Sequence, residues 1–451
     1  MARSFTDQSY ILHRRLGRKP DNVVGVKGIS LVLESGRTML DATGGPSVSI
    51  LGHQQPKITE AIVNQLNKVP YIYSDARVTC EPNEELASLL LKDQPGGLSK
   101  VLFVNSGSEA VEASIKLATQ YWNERGMPSK VHIIGRKQSY HGNTIGALSV
   151  SGHTSRRKIY LDWMCDNTSF VDPVYAFRCK KAGETDSQYV QRLRDQLEAE
   201  ILKVGPENVS AFIAETVSGS TLGCVPPVAG YFKAVRELCD KYDILLILDE
   251  IMCGMGKTGT MHAWEQEGIR GPDIQAIGKA LGAGFVPLSG VLLHQKIFDA
   301  LAAGSKGLLH GGTFQAHPIA TAAAVAAQKI IREQNLLDNV VKMGVVLHRA
   351  LEDEIRPLPF VSDIRGRGLF WAVEFLLDPQ NKVPFAPDAR YNNQVVDVAF
   401  KNGLYILGTL GTAGDIHVDH VIIAPPYIVT VVEIYEIVRL LKASLKEMRD
   451  C

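Results

Sequence analysis

The chain has 451 residues, of which 45% are hydrophobic and 21% charged, so it is long enough for a large buried core and for two domains. Its 48 basic and 48 acidic residues balance, which argues against binding to nucleic acid or to a membrane surface through bulk charge. The seven cysteines form no CxxC pair, and their odd number argues against a disulfide framework and indicates a reducing compartment.

The first 19 residues are basic but lack the apolar core of a secretory signal, and no apolar run in the chain is long enough to span a bilayer. We therefore expect a cytoplasmic protein with no membrane partner. A mitochondrial presequence is the alternative, and Asp7 argues against it.

Short strand-like pieces at 28–33 and 38–40 come first in the chain. From about Leu89 onward, short apolar runs alternate with helical patterns. Strands are predicted at 101–104, 131–134, 211–214, 244–248, 274–277 and 290–293, and helices at 189–204, 230–242 and 319–331. Further strands near 369–375 and 421–423 precede a final helix at about 431–448. The alternation predicts an α/β fold whose mainly parallel sheet binds ligands beyond the carboxyl ends of its strands.

A small polar turn, Asn-Ser-Gly-Ser-Glu-Ala at 105–110, follows the first strand of this sheet, and a helix is predicted to start near Ser108 or Glu109. Free N–H groups at a helix N-terminus attract a phosphate, to which the hydroxyls of Ser106 and Ser108 can also donate, with Gly107 between them. The alternative is an ordinary N-cap with Glu109 in the first turn.

Tyr140 and His141 lie in the loop after the strand at 131–134. An aromatic ring in such a loop can stack on a flat cofactor ring. The alternative is a Tyr-His pair that only closes a turn.

An apolar run ends in Asp249, and the run at 274–277 is followed closely by Lys279. Two parallel strands would bring this carboxylate and this amine to one sheet edge, which is the pair that a pyridoxal phosphate enzyme needs. The amine forms a Schiff base with the cofactor aldehyde, and the carboxylate keeps the pyridine nitrogen protonated. Burial of Lys279 would lower its pKa and favour the nucleophilic amine.

Asp249 and Glu250 could instead belong to a nucleotide site or a metal site. The first would require a GxxxxGK[ST] loop on an earlier strand-to-helix turn, and the chain has none there. The second would require further histidines or acids nearby, and none is evident in the sequence, so we predict no metal.

The chain resembles the class III aminotransferases, which are pyridoxal phosphate enzymes of fold type I, along nearly its whole length. Each matching stretch is modest alone, but their order and spacing are specific. The stretches are 105–110, Tyr-His-Gly at 140–142, Asp-Glu-Ile-Met-Cys-Gly-Met-Gly-Lys-Thr-Gly at 249–259, Lys279, and His-Gly-Gly-Thr-Phe at 310–314.

This resemblance implies a large cofactor-binding domain at 71–325 and a smaller α/β domain formed by segments 1–70 and 326–451. It implies that Lys279 holds pyridoxal 5'-phosphate and moves the substrate proton, and that Asp249 pairs with the ring nitrogen. It also implies a homodimer with the active site at its interface. The residues around the cofactor would be Ser106, Gly107 and Ser108 at the phosphate, Thr313 reaching across from the other subunit, Tyr140 and Ile251 on the two ring faces, and His141 and Glu215 nearby. A structural ion pair is the alternative for Glu215.

The sequence departs from the family pattern where substrate carboxylates are usually bound. Amino-acid-specific members have an arginine just before the Ala-Pro-Pro at 424–426, and many amine:pyruvate members have one after a Gly-Leu pair, here 403–404. This chain has neither, and it has Met252 where amino-acid members often have Gln. We expect an amine, an aldehyde or ketone, or a larger hydrophobic substrate, unless another arginine binds a carboxylate. The candidates are Arg77, Arg156 and Arg157.

The predicted activity is transfer of an amino group from an amine or amino acid to a keto acid or other carbonyl acceptor. A decarboxylase, aminomutase or racemase on the same scaffold is the first alternative, because motifs do not reveal which substrate bond is broken. A non-catalytic cofactor-binding protein conflicts with the presence of both Lys279 and Asp249. A nicotinamide oxidoreductase conflicts with the lack of a GxGxxG turn after the first strand.

Overall fold

The computed structural model describes residues 10–14, 16, 20–75, 77–409, 412–413 and 416–448. Its centre is a seven-stranded sheet, in which five neighbouring strands run parallel and one strand, Ser289–His294, runs antiparallel to both of its neighbours. In spatial order the strands are β4 (Leu98–Val104), β10 (Ser289–His294), β9 (Ile274–Ile277), β8 (Leu245–Asp249), β7 (Val209–Glu215), β5 (His132–Arg136) and β6 (Thr168–Val171). The predicted α/β fold with a mainly parallel sheet is confirmed.

The three central strands are buried along their whole length, which explains why their sequences are continuous apolar runs rather than alternating ones. Their register places Glu215 opposite Asp249 and Asp249 opposite Ala276. The carboxyl ends of these strands therefore meet at one edge of the sheet, with Lys279 starting a short 3-10 turn just beyond it.

Helices cover this sheet and connect its strands. The longer ones within this part of the chain are Pro56–Lys68, Glu81–Leu91, Gly107–Glu124, Asp186–Val204, Tyr231–Lys241, Gln295–Ala303 and Pro318–Glu333. Shorter helices are Gly44–Ser47, Ile145–Ser149, Thr154–Arg157 and Ala176–Cys179, with 3-10 turns at Pro95–Gly97, Lys158–Trp163, Ala263–Gln266 and Lys279–Leu281.

The two ends of the chain meet in a second sheet. Its strands are β1 (Val23–Lys27), β2 (Ser30–Leu33), β3 (Thr38–Asp41) and β13 (Leu404–Tyr405), and β13 pairs in parallel with β3. The strand predicted at 28–33 begins only at Ser30, because Gly28, at φ +58°, occupies the hairpin turn after β1.

A third sheet belongs to the C-terminal part alone. It contains β11 (Val361–Arg367), β12 (Phe370–Phe375), β17 (Asp419–Ile423) and β14 (Leu407–Gly408), and a separate pair is formed by β15 (Thr412–Ala413) and β16 (Ile416–His417). The helices of this part are Leu336–Glu354, Tyr391–Lys401 and Val431–Glu447. The predicted segment boundaries at residues 70 and 325 stay a prediction.

None of the helices among the described residues is both long and apolar enough to cross a membrane.

Candidate active site

A cavity of about 800 Å³ opens beyond the carboxyl ends of β5, β7 and β8. Most of the predicted site residues lie on its wall: Gly107, Ser108, Tyr140, His141, Glu215, Asp249, Ile251 and Lys279. Ser106 and Thr313, the two remaining predicted residues, are not among the residues that line it. The carboxyl ends of β5, β7, β8 and β9 and the residues that follow them thus bring polar side chains to the same space.

Asp249 is held from two directions at the end of β8. Its Oδ1 accepts the N–H of Ile251 at 3.0 Å, and its Oδ2 lies 2.7 Å from Nδ1 of His141. The N–H of His141 in turn donates to the hydroxyl of Ser151 at 2.8 Å. Both members of the pair are buried, and Nε2 of the histidine is buried without a hydrogen-bond partner among the described residues.

Lys279 begins the 3-10 turn after β9 in a left-handed conformation, with φ +42°. A non-glycine residue seldom adopts this conformation, and such strain is concentrated at functional sites. Burial lowers the pKa of the Lys279 amine, and the charges of Asp249 and Glu215 partly oppose that shift. The turn packs closely against strand β10 because residue 278 is a glycine. A Cβ there would lie 2.5 Å from the hydroxyl of Ser289.

Glu215 ends β7 beside Asp249 and is also buried. Its Oε1 accepts the N–H of Gly219 at 3.0 Å, and its Oε2 is 3.4 Å from the hydroxyl of Ser218. Burial raises the pKa of this carboxyl group, and the nearby His141 and Arg136 partly oppose that shift. Among the described residues Glu215 has no arginine or lysine side chain bonded to it, so the structural ion pair considered as its alternative role is not formed.

The polar turn at 105–110 is both a helix cap and a wall of the cavity. The hydroxyl of Ser106 accepts the N–H of Glu109 at 3.2 Å, and the Glu109 carboxylate accepts the N–H of Ser106 at 3.2 Å, which is a capping box. The helix therefore begins at Gly107, slightly earlier than predicted. Ser106 has its hydroxyl engaged in the cap, whereas Gly107 and Ser108 face the cavity.

The cavity wall is closely packed around Gly107 and Ser108 at the start of the helix. A Cβ at Gly107 would lie 2.9 Å from Cδ1 of Ile251, and one at Gly142 would lie 2.8 Å from the hydroxyl of Ser108. The Ser108 hydroxyl donates to Oδ1 of Asn143 at 2.8 Å and accepts its N–H at 3.0 Å. Small residues thus let backbone N–H groups approach a ligand closely.

Tyr140 is half-buried in the cavity wall, and the guanidinium carbon of Arg156 lies 4.5 Å from the centre of its ring. Thr313 is exposed on the surface, where its carbonyl accepts the hydroxyl of Tyr71 at 2.9 Å. Within one chain, then, Thr313 does not reach the cavity.

Sequence reasoning missed two of the arginines that line the cavity, Arg14 and Arg390. Of the three arginines that it did propose, only Arg156 lines the cavity. The guanidinium of Arg157 lies over the ring of Phe170 at 4.6 Å, and Arg77 is exposed elsewhere. Arg14 and Arg390 belong to the two ends of the chain, where no local pattern points to the site.

Glu250, considered above as a partner of Asp249 in a nucleotide or metal site, faces away from the cavity. Its carboxylate accepts four hydrogen bonds, from the Thr216 hydroxyl, the N–H groups of Ala263 and Trp264, and the Gln275 amide. No group of three or more His, Cys, Asp or Glu side chains in the described part of the chain is arranged to hold a metal ion. Glu250 therefore has a structural role, as the acceptor of these four hydrogen bonds.

The residues present fit pyridoxal phosphate. A buried carboxylate braced by a histidine can face a protonated ring nitrogen, an amine of lowered pKa can condense with an aldehyde, and a helix start can bind a phosphate. Asp249, His141, Lys279 and the first residues of the helix, Gly107 and Ser108, all line the same cavity.

Comparison with known proteins agrees with this chemistry. The family model for "Aminotransferase class-III" matches residues 17–445. An uncharacterized aminotransferase of Schizosaccharomyces pombe is 43% identical over 97% of this chain and 95% of its own, and a vanillin aminotransferase of Capsicum chinense is 34% identical over 92% and 88%. The omega transaminase of Pseudomonas jessenii in complex with PMP superposes with a TM-score of 0.93 at 30% identity, over 99% of both chains.

Proposed function

The chain belongs to the class III aminotransferases and is a pyridoxal phosphate-dependent aminotransferase, and on that premise we propose roles for the residues of its cavity. The observation that carries the proposal is the presence of Asp249 and Lys279 in one cavity at the ends of adjacent strands. Lys279 holds the cofactor, and Asp249 faces its ring nitrogen. These are the roles that the resemblance to class III aminotransferases implied for Lys279 and Asp249.

When bound, pyridoxal phosphate supplies an aldehyde that condenses with amines and a ring that accepts an electron pair from the substrate carbon. Residues of the chain move the protons and hold the groups in place. Burial favours the neutral form of the Lys279 amine, and we assign to its Nζ the removal of the proton from the carbon that bears the donor's amino group. Asp249, oriented by His141, keeps a proton at the ring nitrogen.

The phosphate group is bound by Gly107 and Ser108 at the start of the helix Gly107–Glu124, with Thr313 of the partner subunit as an additional donor. Ser106 contributes through its cap, which fixes the first turn. Tyr140 and Ile251 would pack on the two faces of the ring when the cofactor is bound, with Glu215 nearby on the side of Asp249. The role of Thr313 requires a homodimer.

Several apolar side chains near Thr313 support the homodimer. Leu309 is 74% exposed and Phe314 is 55% exposed, so this loop offers apolar surface that a partner subunit could cover. Phe314 packs edge-on against Tyr71, whose hydroxyl holds the Thr313 carbonyl. This apolar surface and Thr313 therefore lie together on the outside of one chain.

The amino donor is an amine, and the acceptor is a keto acid such as pyruvate or 2-oxoglutarate. Apolar side chains on the cavity wall support an amine donor: Val217, Met252 and Leu407. Among the relatives, the Pseudomonas jessenii protein is named as an omega transaminase and the Capsicum protein is named for vanillin, an aromatic aldehyde, whereas three relatives from Solanum lycopersicum at 33–34% identity are named gamma aminobutyrate transaminases. A cytosolic location is supported by six unpaired cysteines among the described residues.

The proposal is tested by the two halves of the reaction, followed separately with a panel of ω-amines and α-amino acids. A simple amine alone should convert the bound cofactor to its amine form and release one equivalent of carbonyl product. Addition of pyruvate or 2-oxoglutarate should then restore the starting absorbance. Carbon dioxide release, or turnover without an acceptor, would indicate the decarboxylase or mutase alternative. A strong preference for ornithine or 4-aminobutyrate would contradict the amine donor.

A further inference from the structure

A keto-acid acceptor brings a carboxylate into the cavity, and a buried carboxylate needs a cationic partner. The only acidic side chains on the described wall are Glu215 and Asp249, at the sheet edge. Besides the reacting Lys279, the cationic ones are three arginines, Arg14, Arg156 and Arg390. One of these arginines is therefore the expected partner of the carboxylate.

Arg390 is placed at the cavity by a firmly anchored backbone. It is the residue before the helix Tyr391–Lys401, with φ +46°, and its carbonyl accepts the N–H of Asn393 at 2.9 Å. The N–H of Asn392 donates to Oδ1 of Asp419 at 3.1 Å, which ties the start of the helix to strand β17. The side chain itself is exposed and has no hydrogen bond or ion pair with any described residue.

A glycine brings this helix close to the strand that lines the cavity. A Cβ at Gly408 would lie 2.7 Å from Cγ2 of Val396 and 3.3 Å from the carbonyl oxygen of Asn392. Leu407, Gly408 and Thr409, which line the cavity, carry no charge. The close contact therefore brings Arg390, just before the helix, beside a strand segment that carries no charge.

The other two arginines are less suited to this role. Arg156 is half-buried with its guanidinium on the ring of Tyr140, so its position is fixed by packing against the residue proposed to stack on the cofactor. Arg14 also lines a separate groove, which is formed with β2 and the helix Tyr391–Lys401. Arg156 also has no side-chain hydrogen bond or ion pair with a described residue, but its guanidinium is packed on the ring of Tyr140, whereas the Arg390 side chain is exposed and can turn to form a bidentate pair.

We infer that Arg390 is the residue that binds the carboxylate of the keto-acid acceptor, an inference that rests on the aminotransferase function proposed above. A guanidinium offers two parallel N–H donors to a carboxylate, whereas the apolar wall at Leu407 and Met252 accepts the carbon skeleton of an amine. The two halves of the reaction would then use different parts of one cavity.

The test compares Arg390→Gln with Arg390→Lys, with Arg156→Gln and with a control, Arg349→Gln, whose side chain is 82% exposed. For Arg390→Gln, kcat/KM for pyruvate and 2-oxoglutarate should fall roughly 10- to 100-fold, as expected for loss of a charged hydrogen bond. Its rates with an aldehyde acceptor and in the amine half-reaction should stay within about twofold of wild type. Arg390→Lys should restore part of the loss.

A second measurement needs no turnover. Binding of propionate and glutarate, which lack a keto group, to the holoenzyme is measured by calorimetry, and Arg390→Gln should weaken whichever carboxylate the wild type binds. Unchanged keto-acid kinetics in Arg390→Gln, or a selective loss in Arg156→Gln instead, would overturn the inference. If the wild type transaminates nothing, the proposed function fails; if it transaminates and Arg390→Gln matches it, only this inference fails.

Discussion

The Nδ1 atom of His141 lies 2.7 Å from Oδ2 of Asp249, and the opposite ring nitrogen of His141 has no partner among the described residues. Among the described residues, the ring of His141 therefore forms a hydrogen bond only with Asp249. Since the N–H of Ile251 holds the second carboxylate oxygen, the direction of the Asp249 side chain is fixed before any ligand binds.

The first prediction concerns this pair. Asp249→Asn should lower kcat roughly 100- to 1,000-fold, because a neutral amide does not stabilise charge at the ring nitrogen. His141→Ala should lower kcat less, by about 10-fold, because it acts through the direction of Asp249. The measurement is a double-mutant cycle on kcat, with Asp195→Asn, an exposed site, as control.

If His141 is a positioning residue, its removal should cost nothing further in an Asp249→Asn background. Losses that simply add in the double variant would show that His141 acts independently of Asp249.

The second prediction concerns Lys279. Lys279→Ala should abolish turnover and the visible absorbance of the lysine-bound cofactor. In the wild type, the rate at which the apoenzyme takes up the cofactor should rise with pH as the amine loses its proton. Since burial lowers the pKa of Lys279, the midpoint of that rise should lie at a pH below about 10.4, the ordinary pKa of lysine. A midpoint at or above the ordinary value, or activity in Lys279→Ala, would contradict the assignment.

The sequence was sufficient to predict the centre of the site because the carboxyl ends of parallel strands meet at one edge of the sheet. The apolar runs before Asp249 and Lys279 are buried strands that lie side by side, so residues 30 positions apart in the chain become neighbours. The family is confirmed by the match over residues 17–445, and the fold type by the superposition on a solved omega transaminase.

The sequence did not reveal the site residues that come together through packing between distant segments of the chain. Arg14 and Arg390 reach the cavity from the two ends of the chain, and nothing in their neighbours indicates it. The sequence also left two roles open for Ser106, and the structure shows its hydroxyl in the helix cap. Strand β6 was not predicted, because it is only four residues long and mostly half-buried.

The third prediction concerns stability. Glu250→Ala should lower the free energy of unfolding by roughly 3 kcal/mol, because two buried backbone N–H groups and two side-chain donors lose their acceptor. Glu250→Gln, which keeps one oxygen, should cost less. Chemical denaturation of both variants provides the measurement, with the exposed Glu60→Ala expected to change stability by less than about 0.5 kcal/mol. A Glu250→Ala protein as stable as Glu60→Ala would show that the cluster does not hold the fold together.

The fourth prediction tests whether Thr313 serves the neighbouring subunit. Thr313→Ala alone should weaken retention of the cofactor, whereas Thr59→Ala, another exposed threonine, should not. Heterodimers of Thr313→Ala with Lys279→Ala then distinguish two geometries. If Thr313 reaches across, one of the two sites combines an intact Lys279 with an intact Thr313 of the partner subunit, and it should retain cofactor as tightly as the wild type.

If Thr313 instead serves its own chain, the only site with a lysine also lacks the threonine, and every heterodimer should retain cofactor weakly. The measurement is cofactor release from purified, differently tagged heterodimers, followed by the loss of visible absorbance during dialysis. Because Thr313 lies outside the cavity of its own chain while its carbonyl is fixed by Tyr71, we expect the first result. A strictly monomeric protein with full activity would contradict the shared site altogether.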